Sequence, residues 1–167
     1  MPGTAEKSAS EAKPAKAAKP KPSSARRRAR EFALQGLYQW LLAGTSPEQV
    51  MAQLEVSEGW ERCDRTYCAI LVHGAAGDAG RIIQLLGPYL DRKFDLVSPI
   101  ERAILLIAGY ELTSQPDVPY KVALNEAIEL AKRFGGTDGD KFINGVLDKL
   151  ARSLPAGAAT ARSSAGA

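Results

Sequence analysis

The sequence predicts an all-α fold of about seven helices, and three observations lead there. Apolar residues recur at helical spacing along nearly all of residues 31 to 154, with no competing strand alternation. Helix starts are written as Ser-Pro pairs followed by an acid or amide, at Ser46-Pro47-Glu48-Gln49 and Ser98-Pro99-Ile100-Glu101. One segment, Ile104 to Ala108, is apolar round its whole circumference, which suits a helix enclosed by others.

Taken in order, Ser23 or Ser24 caps a first helix whose Ala33, Leu34, Leu37, Tyr38 and Leu41 form one face before Gly44 stops it. Ser46 opens the second, with Pro47 at its first position and Gln49 placed for a capping box. Trp60, Tyr67, Ile70 and Leu71 mark a third that ends near Gly74 or Gly77, and Asp78 caps a fourth running to Pro88. Ser98 opens the apolar fifth helix through Tyr110. Pro119 starts a sixth, closed by Gly135-Gly136, and Asp138 or Asp140 caps a last one carrying Phe142, Ile143, Val146, Leu147 and Leu150.

This helical unit spans 26–154. Residues 1–25, rich in Ala, Lys, Pro and Ser, bury too little to offset the entropy of ordering and are expected to be a disordered basic tail. Residues 155–167, Ala, Gly and Ser after Pro155, are expected to be a disordered C-terminal tail.

The net charge of +3 conceals an asymmetry. Arg26, Arg27, Arg28 and Arg30 add four cations in five residues, whereas 31–154 is mildly acidic, so a nucleic-acid surface is local and the body suits a basic protein partner. A helix N-terminus disfavours cations, so the arginine run asks for an external anion, and planar guanidinium donors fit phosphate. The bland alternative is a solvated tail.

The sequence offers little for catalysis. There is one histidine, and Cys63 and Cys68, five apart, point about 140° away from one another on a helix, a poor pair of metal ligands. Gly135-Gly136-Thr137-Asp138-Gly139 lacks the Lys and Ser/Thr of a phosphate loop and reads as a helix-ending turn. Glu126 and Glu129 read as solvated charges. The sequence thus implies no enzyme, no cofactor, no metal and no membrane span, and a cytoplasmic protein. Asp138, Lys141 and Phe142 stand out, because a helix N-terminus offers donors to phosphate and Phe stacks on bases, with plain core packing as the alternative for Phe142.

Three stretches carry a resemblance. They are Ala25-Arg26-Arg27-Arg28-Ala29-Arg30-Glu31 with Ala33 to Tyr38, then Glu101 to Leu105 with Tyr110-Glu111-Leu112, then Val118 to Lys132 with Phe142 to Asp148. In order and spacing they resemble the NusB family of bacterial antitermination factors, weakly across 44–95. The resemblance implies an all-α fold of two packed three-helix-type halves and an RNA-binding transcription antitermination factor. It implies binding to single-stranded boxA RNA of ribosomal RNA leaders together with NusE, a small-subunit ribosomal protein. The RNA polymerase elongation complex, with other Nus factors, is then made to resist termination.

Carried over by position, Arg26, Arg27, Arg28, Arg30, Asp138, Lys141 and Phe142 are expected at the RNA, and Tyr38 and Glu101 near NusE. The chain departs from the family pattern at Leu106, where a basic residue is common, at Gly139, where Ser is usual, and in its longer basic tail. The competing readings are a purely protein-binding helical adaptor or homodimer, and a detached RNA-binding module of a ribosomal RNA methyltransferase.

Overall fold

The computed structural model describes residues 22–155, so the tails expected at 1–25 and 155–167 lie largely outside the described residues. Among the described residues there are seven α-helices and no strand. They are α1 (Pro22–Ala43), α2 (Pro47–Glu55), α3 (Arg65–Gly77), α4 (Ala79–Leu86), α5 (Pro99–Ser114), α6 (Tyr120–Phe134) and α7 (Gly139–Ser153). Short 3₁₀ turns occupy Trp60–Arg62, Gly87–Tyr89 and Phe94–Leu96.

α1, α2 and α3 pack as one half and α5, α6 and α7 as the other, with α4 lying against α5 and α7. α5 joins the halves, because it packs on α1 and α3 as well as on α6 and α7. Its residues Ala103 to Gly109 are buried without a break, the outcome expected of a helix apolar all round. Leu106 is fully buried there, so its position has no solvent side on which a basic residue would sit without desolvation. Close helix approach uses small residues. A Cβ at Gly74 of α3 would run into the Tyr110 ring of α5, which is why these helices meet where α3 has no side chain.

The caps follow the sequence in part. Ser46 forms the full capping box with Gln49, and the Ser98 hydroxyl accepts from the Glu101 N–H at 3.4 Å. Asp78 stands at the N-cap of α4, yet its carboxylate is taken by Arg81 and makes no cap bond. Trp60 does not belong to the third helix: Gly59 turns the chain at φ 86°, a 3₁₀ turn follows, and Asp64 starts α3 by accepting from the Tyr67 N–H at 3.0 Å. Cys63 therefore lies outside α3, so the two cysteines do not share one helix, and both are buried. No described helix is long and apolar enough to cross a membrane.

Candidate nucleic-acid interface

α1 begins at Pro22, so Ser23 and Ser24 fall in its first turn and the arginines start at the fifth residue, past the turn where the helix dipole acts. Successive residues then point about 100° apart, which distributes the four arginines over different neighbours. Arg30 faces inward. It is 3% exposed, and its guanidinium makes three hydrogen bonds of 2.8 to 3.2 Å to the buried Glu111 of α5. The Tyr67 hydroxyl donates to the same carboxylate at 2.5 Å. Burial and the neighbouring Glu111 charge push the Tyr67 phenol well above its ordinary value, so it stays a neutral donor. Arg30, expected at the RNA, is thus committed to the core, because a buried charge stripped of its partner costs several kcal/mol, about 3–5 in comparable pairs.

One turn earlier on the same face, Arg26 lies over the Tyr67 ring at 4.3 Å and stands 3.7 Å from Asp64 of the α3 cap. Arg27 reaches across to α6, where Glu126 receives it through two bonds of 2.9 and 3.1 Å that raise the guanidinium pKa. Glu126 is therefore a buried-side anchor and not the solvated charge its spacing suggested, while Glu129 is exposed beside Lys132. Arg28 alone of the four forms no ion pair among the described residues. The expectation that the whole run awaits an external anion is corrected accordingly: the protein's own carboxylates meet three of the four cations.

Arg28 opens onto a cleft of about 400 Å³ that it shares with Glu31, Tyr38, Glu58, Ile100 and Phe134. Tyr38, expected on a partner side, is thus brought to the same cleft as an expected RNA residue. The exposed Phe134, 43% accessible, forms an apolar wall, and Arg133 beside it is paired with Glu31. Edge-to-face packing of Phe32 on Trp60, centroids 5.4 Å apart, braces the α1 side.

Ile100 leads directly to Glu101 at the start of α5. Its carboxylate accepts from the Ser98 hydroxyl at 2.8 Å, and its other oxygen would lie 2.7 Å from a Cβ placed on Gly139, the first residue of α7. Absence of a side chain at Gly139 is what lets Glu101 close against the α7 entrance. Glu101, expected near the partner, therefore sits beside the cluster expected at RNA. Asp138 adopts the left-handed conformation, φ 59°, and provides no side-chain cap. Its carboxylate lies 3.3 Å from Lys141, with both side chains mostly exposed. Asp140, the alternative cap, is instead the second residue of α7, where an acid suits the helix dipole. Phe142 is half-buried against the core, and Arg92, from the segment between α4 and α5, lies 5.3 Å over its ring. Phe142 thus packs partly on the core, the plain alternative, and carries Arg92 on its ring. Arg92 escapes a reading by periodicity because it lies in an irregular segment; two adjacent cations in Asp91-Arg92-Lys93-Phe94 were its only signal.

The NusB family model matches residues 27–152. Transcription antitermination protein NusB from Burkholderia mallei (strain SAVP1) is 52% identical over 131 residues, covering 78% of this chain and 90% of the relative, and the Burkholderia pseudomallei (strain 668) protein matches to the same extent. Among solved structures, T. maritima NusB superposes with a TM-score of 0.70 at 28% identity, covering 83% of this chain and 97% of that one. A structure of antitermination factors NusB and NusE in complex with dsRNA shares the fold, with a TM-score of 0.65 at 23% identity over 77% of this chain and 96% of that one. In sequence and in helical architecture, the chain belongs to the NusB family of transcription antitermination proteins.

Proposed function

We propose that this chain is an RNA-binding antitermination factor that makes and breaks no bond, acting in the cytoplasm. One observation supports the reading most: in a NusB-family chain, the cleft of Arg28 and Tyr38, the Glu101 start of α5 and the α7 entrance adjoin along one edge. Arg26, Arg27 and Arg28 supply phosphate contacts from α1, Arg26 and Arg27 at the expense of weak exposed pairs. Lys141 and Phe142 supply contacts from α7, where Asp138 opposes the RNA backbone by charge. Arg30 acts in this reading only by fixing α1. Tyr38 and Glu101 lie where NusE docks, and the mildly acidic body suits a basic ribosomal protein. The protein–RNA unit then joins RNA polymerase and other Nus factors. The structure of related NusB and NusE with dsRNA supports both partners.

Fluorescence anisotropy tests this with single-stranded boxA RNA, a scrambled strand and a duplex, each with and without NusE at one salt concentration. NusE is expected to tighten boxA binding at least about tenfold, equal to about 1.4 kcal/mol, and Glu101→Lys to remove most of that gain while leaving binding by the lone chain nearly intact. Equal affinity with and without NusE would defeat the joint mechanism and favour a protein-only adaptor or homodimer.

A further inference from the structure

The segment between α4 and α5 was not part of the surface expected from the sequence, yet it supplies the residue that covers Phe142. The Arg92 guanidinium lies 5.3 Å over that ring, and its side chain remains 47% exposed. Lys93 follows it, exposed, on the same irregular segment, and both line a shallow depression with Phe94 and Ile83. The only carboxylate that Arg92 pairs with among the described residues is Asp91, its own neighbour, 2.8 Å away and 66% exposed. Glu101 adds a weaker attraction from the α5 start.

This arrangement differs in kind from the arginines of α1. An arginine laid on an aromatic ring has lost much of its rotamer freedom before any ligand arrives, and here its Nε and Nη2 donate to the Asp91 carboxylate at 2.8 and 3.1 Å. Its single competitor is an exposed carboxylate on the adjacent residue, a pairing of little worth in water. A phosphate carries a full charge on several acceptor oxygens and displaces such a partner readily. The ring that holds Arg92 is Phe142 at the α7 entrance, whose neighbour Lys141 adds a second exposed cation.

We infer that the 90–93 segment is part of the RNA surface, with Arg92 a phosphate-binding residue that Phe142 positions by stacking. Phe142 then serves as the platform for an arginine as well as a face for a base. The inference rests on the RNA-binding reading above and extends its surface from α1 and α7 to the segment before α5. It also assigns Asp91 a role: its carboxylate competes with RNA for the same guanidinium and sets the threshold for binding.

Anisotropy titrations of the full chain with single-stranded boxA RNA over a salt series test the inference. Arg92→Ala is expected to weaken binding roughly three- to tenfold and to flatten the log K against log salt slope by about 0.7, the value for one single-strand phosphate contact. Arg92→Lys keeps the charge and loses the planar stack, so it should recover the slope but only part of the affinity. In Phe142→Leu the further loss from Arg92→Ala should be much smaller than in the parent, whereas independent contacts would add. Asp91→Asn should tighten binding. Unchanged affinity and slope in Arg92→Ala, with Arg28→Ala weakened, would overturn the role of Arg92 and leave the RNA reading standing. Absence of salt-dependent RNA binding by the parent chain would overturn both. Additive losses for Arg92 and Phe142 would overturn the positioning by Phe142.

Discussion

The arginine run of α1 and the entrance of α7 are both dense in charge, yet their charges are partnered in opposite ways. In α1 three of four arginines meet carboxylates from other helices, Asp64, Glu111 and Glu126, each far away in the sequence. At the α7 entrance the pairs are local and exposed: Asp138 with Lys141 on the same turn, Asp91 with Arg92 next to it. Of the first kind, the buried Arg30–Glu111 pair ties α1 to the other half, whereas Arg27–Glu126 is exposed on the arginine side and Arg26–Asp64 stays within the first half. Pairs of the second kind cost little to break and leave their cations available. Charge density along a sequence therefore says less about a binding surface than how deeply each charge and its partner are buried.

The largest effect is expected where this division is sharpest. Arg30→Ala leaves Glu111 buried and unpaired, and should destabilise the fold by about 3–5 kcal/mol in urea denaturation, while Arg30→Met with Glu111→Leu should recover most of the loss. A loss below about 1 kcal/mol in the single variant would mean that the pair is not a structural one. Next comes the helix crossing that carries Tyr67 and α5: Gly74→Ala forces the Tyr110 ring aside and should cost about 1–3 kcal/mol, read as a lower Tm, with a neutral outcome pointing to an easily displaced ring.

Arg27→Ala should separate stability from binding. The pair with Glu126 is exposed on the arginine side, so the fold should lose no more than about 1 kcal/mol, whereas the RNA salt slope should fall by about 0.7. Loss of stability without any change in slope would move Arg27 to the structural class with Arg30. The smallest effect concerns Asp78, whose carboxyl the Arg81 hydrogen bond holds below the ordinary range. A depressed folded pKa gives stability that is fully present above the unfolded value and is lost as pH falls through the folded one. For so exposed a pair the loss should stay within a few tenths of a kcal/mol, and Arg81→Ala should erase that part of the acid dependence.

How far the sequence disclosed the molecule follows the range of each interaction. The helices, the capping box at Ser46 and the central place of α5 were legible because each is decided within a few turns of chain. The separate turn at Trp60 was not, since apolar spacing is blind to Gly59 in the left-handed region. Nor was the fate of Arg30, whose partner lies 81 residues away. A signal was present there: Glu111 is the one charged residue of α5 beyond Arg102, set after a long apolar run, and such a group needs a buried cation. The expected RNA residues were read from local character and likeness alone, so their types were legible while their partition between surface and core was not. Glu101 closing on Gly139 and Arg92 lying on Phe142 depend on tertiary packing that no spacing encodes.

The division of the arginines is tested most directly by RNA affinity over a salt series for Arg28→Ala beside the folded double variant Arg30→Met, Glu111→Leu. The account predicts a slope flattened by about 0.7 in the Arg28 variant and a slope like the parent's in the double variant. A double variant that folds as the parent does, yet loses as much slope as Arg28→Ala, would contradict it, because Arg30 would then be reaching RNA from a position the structure assigns to the core.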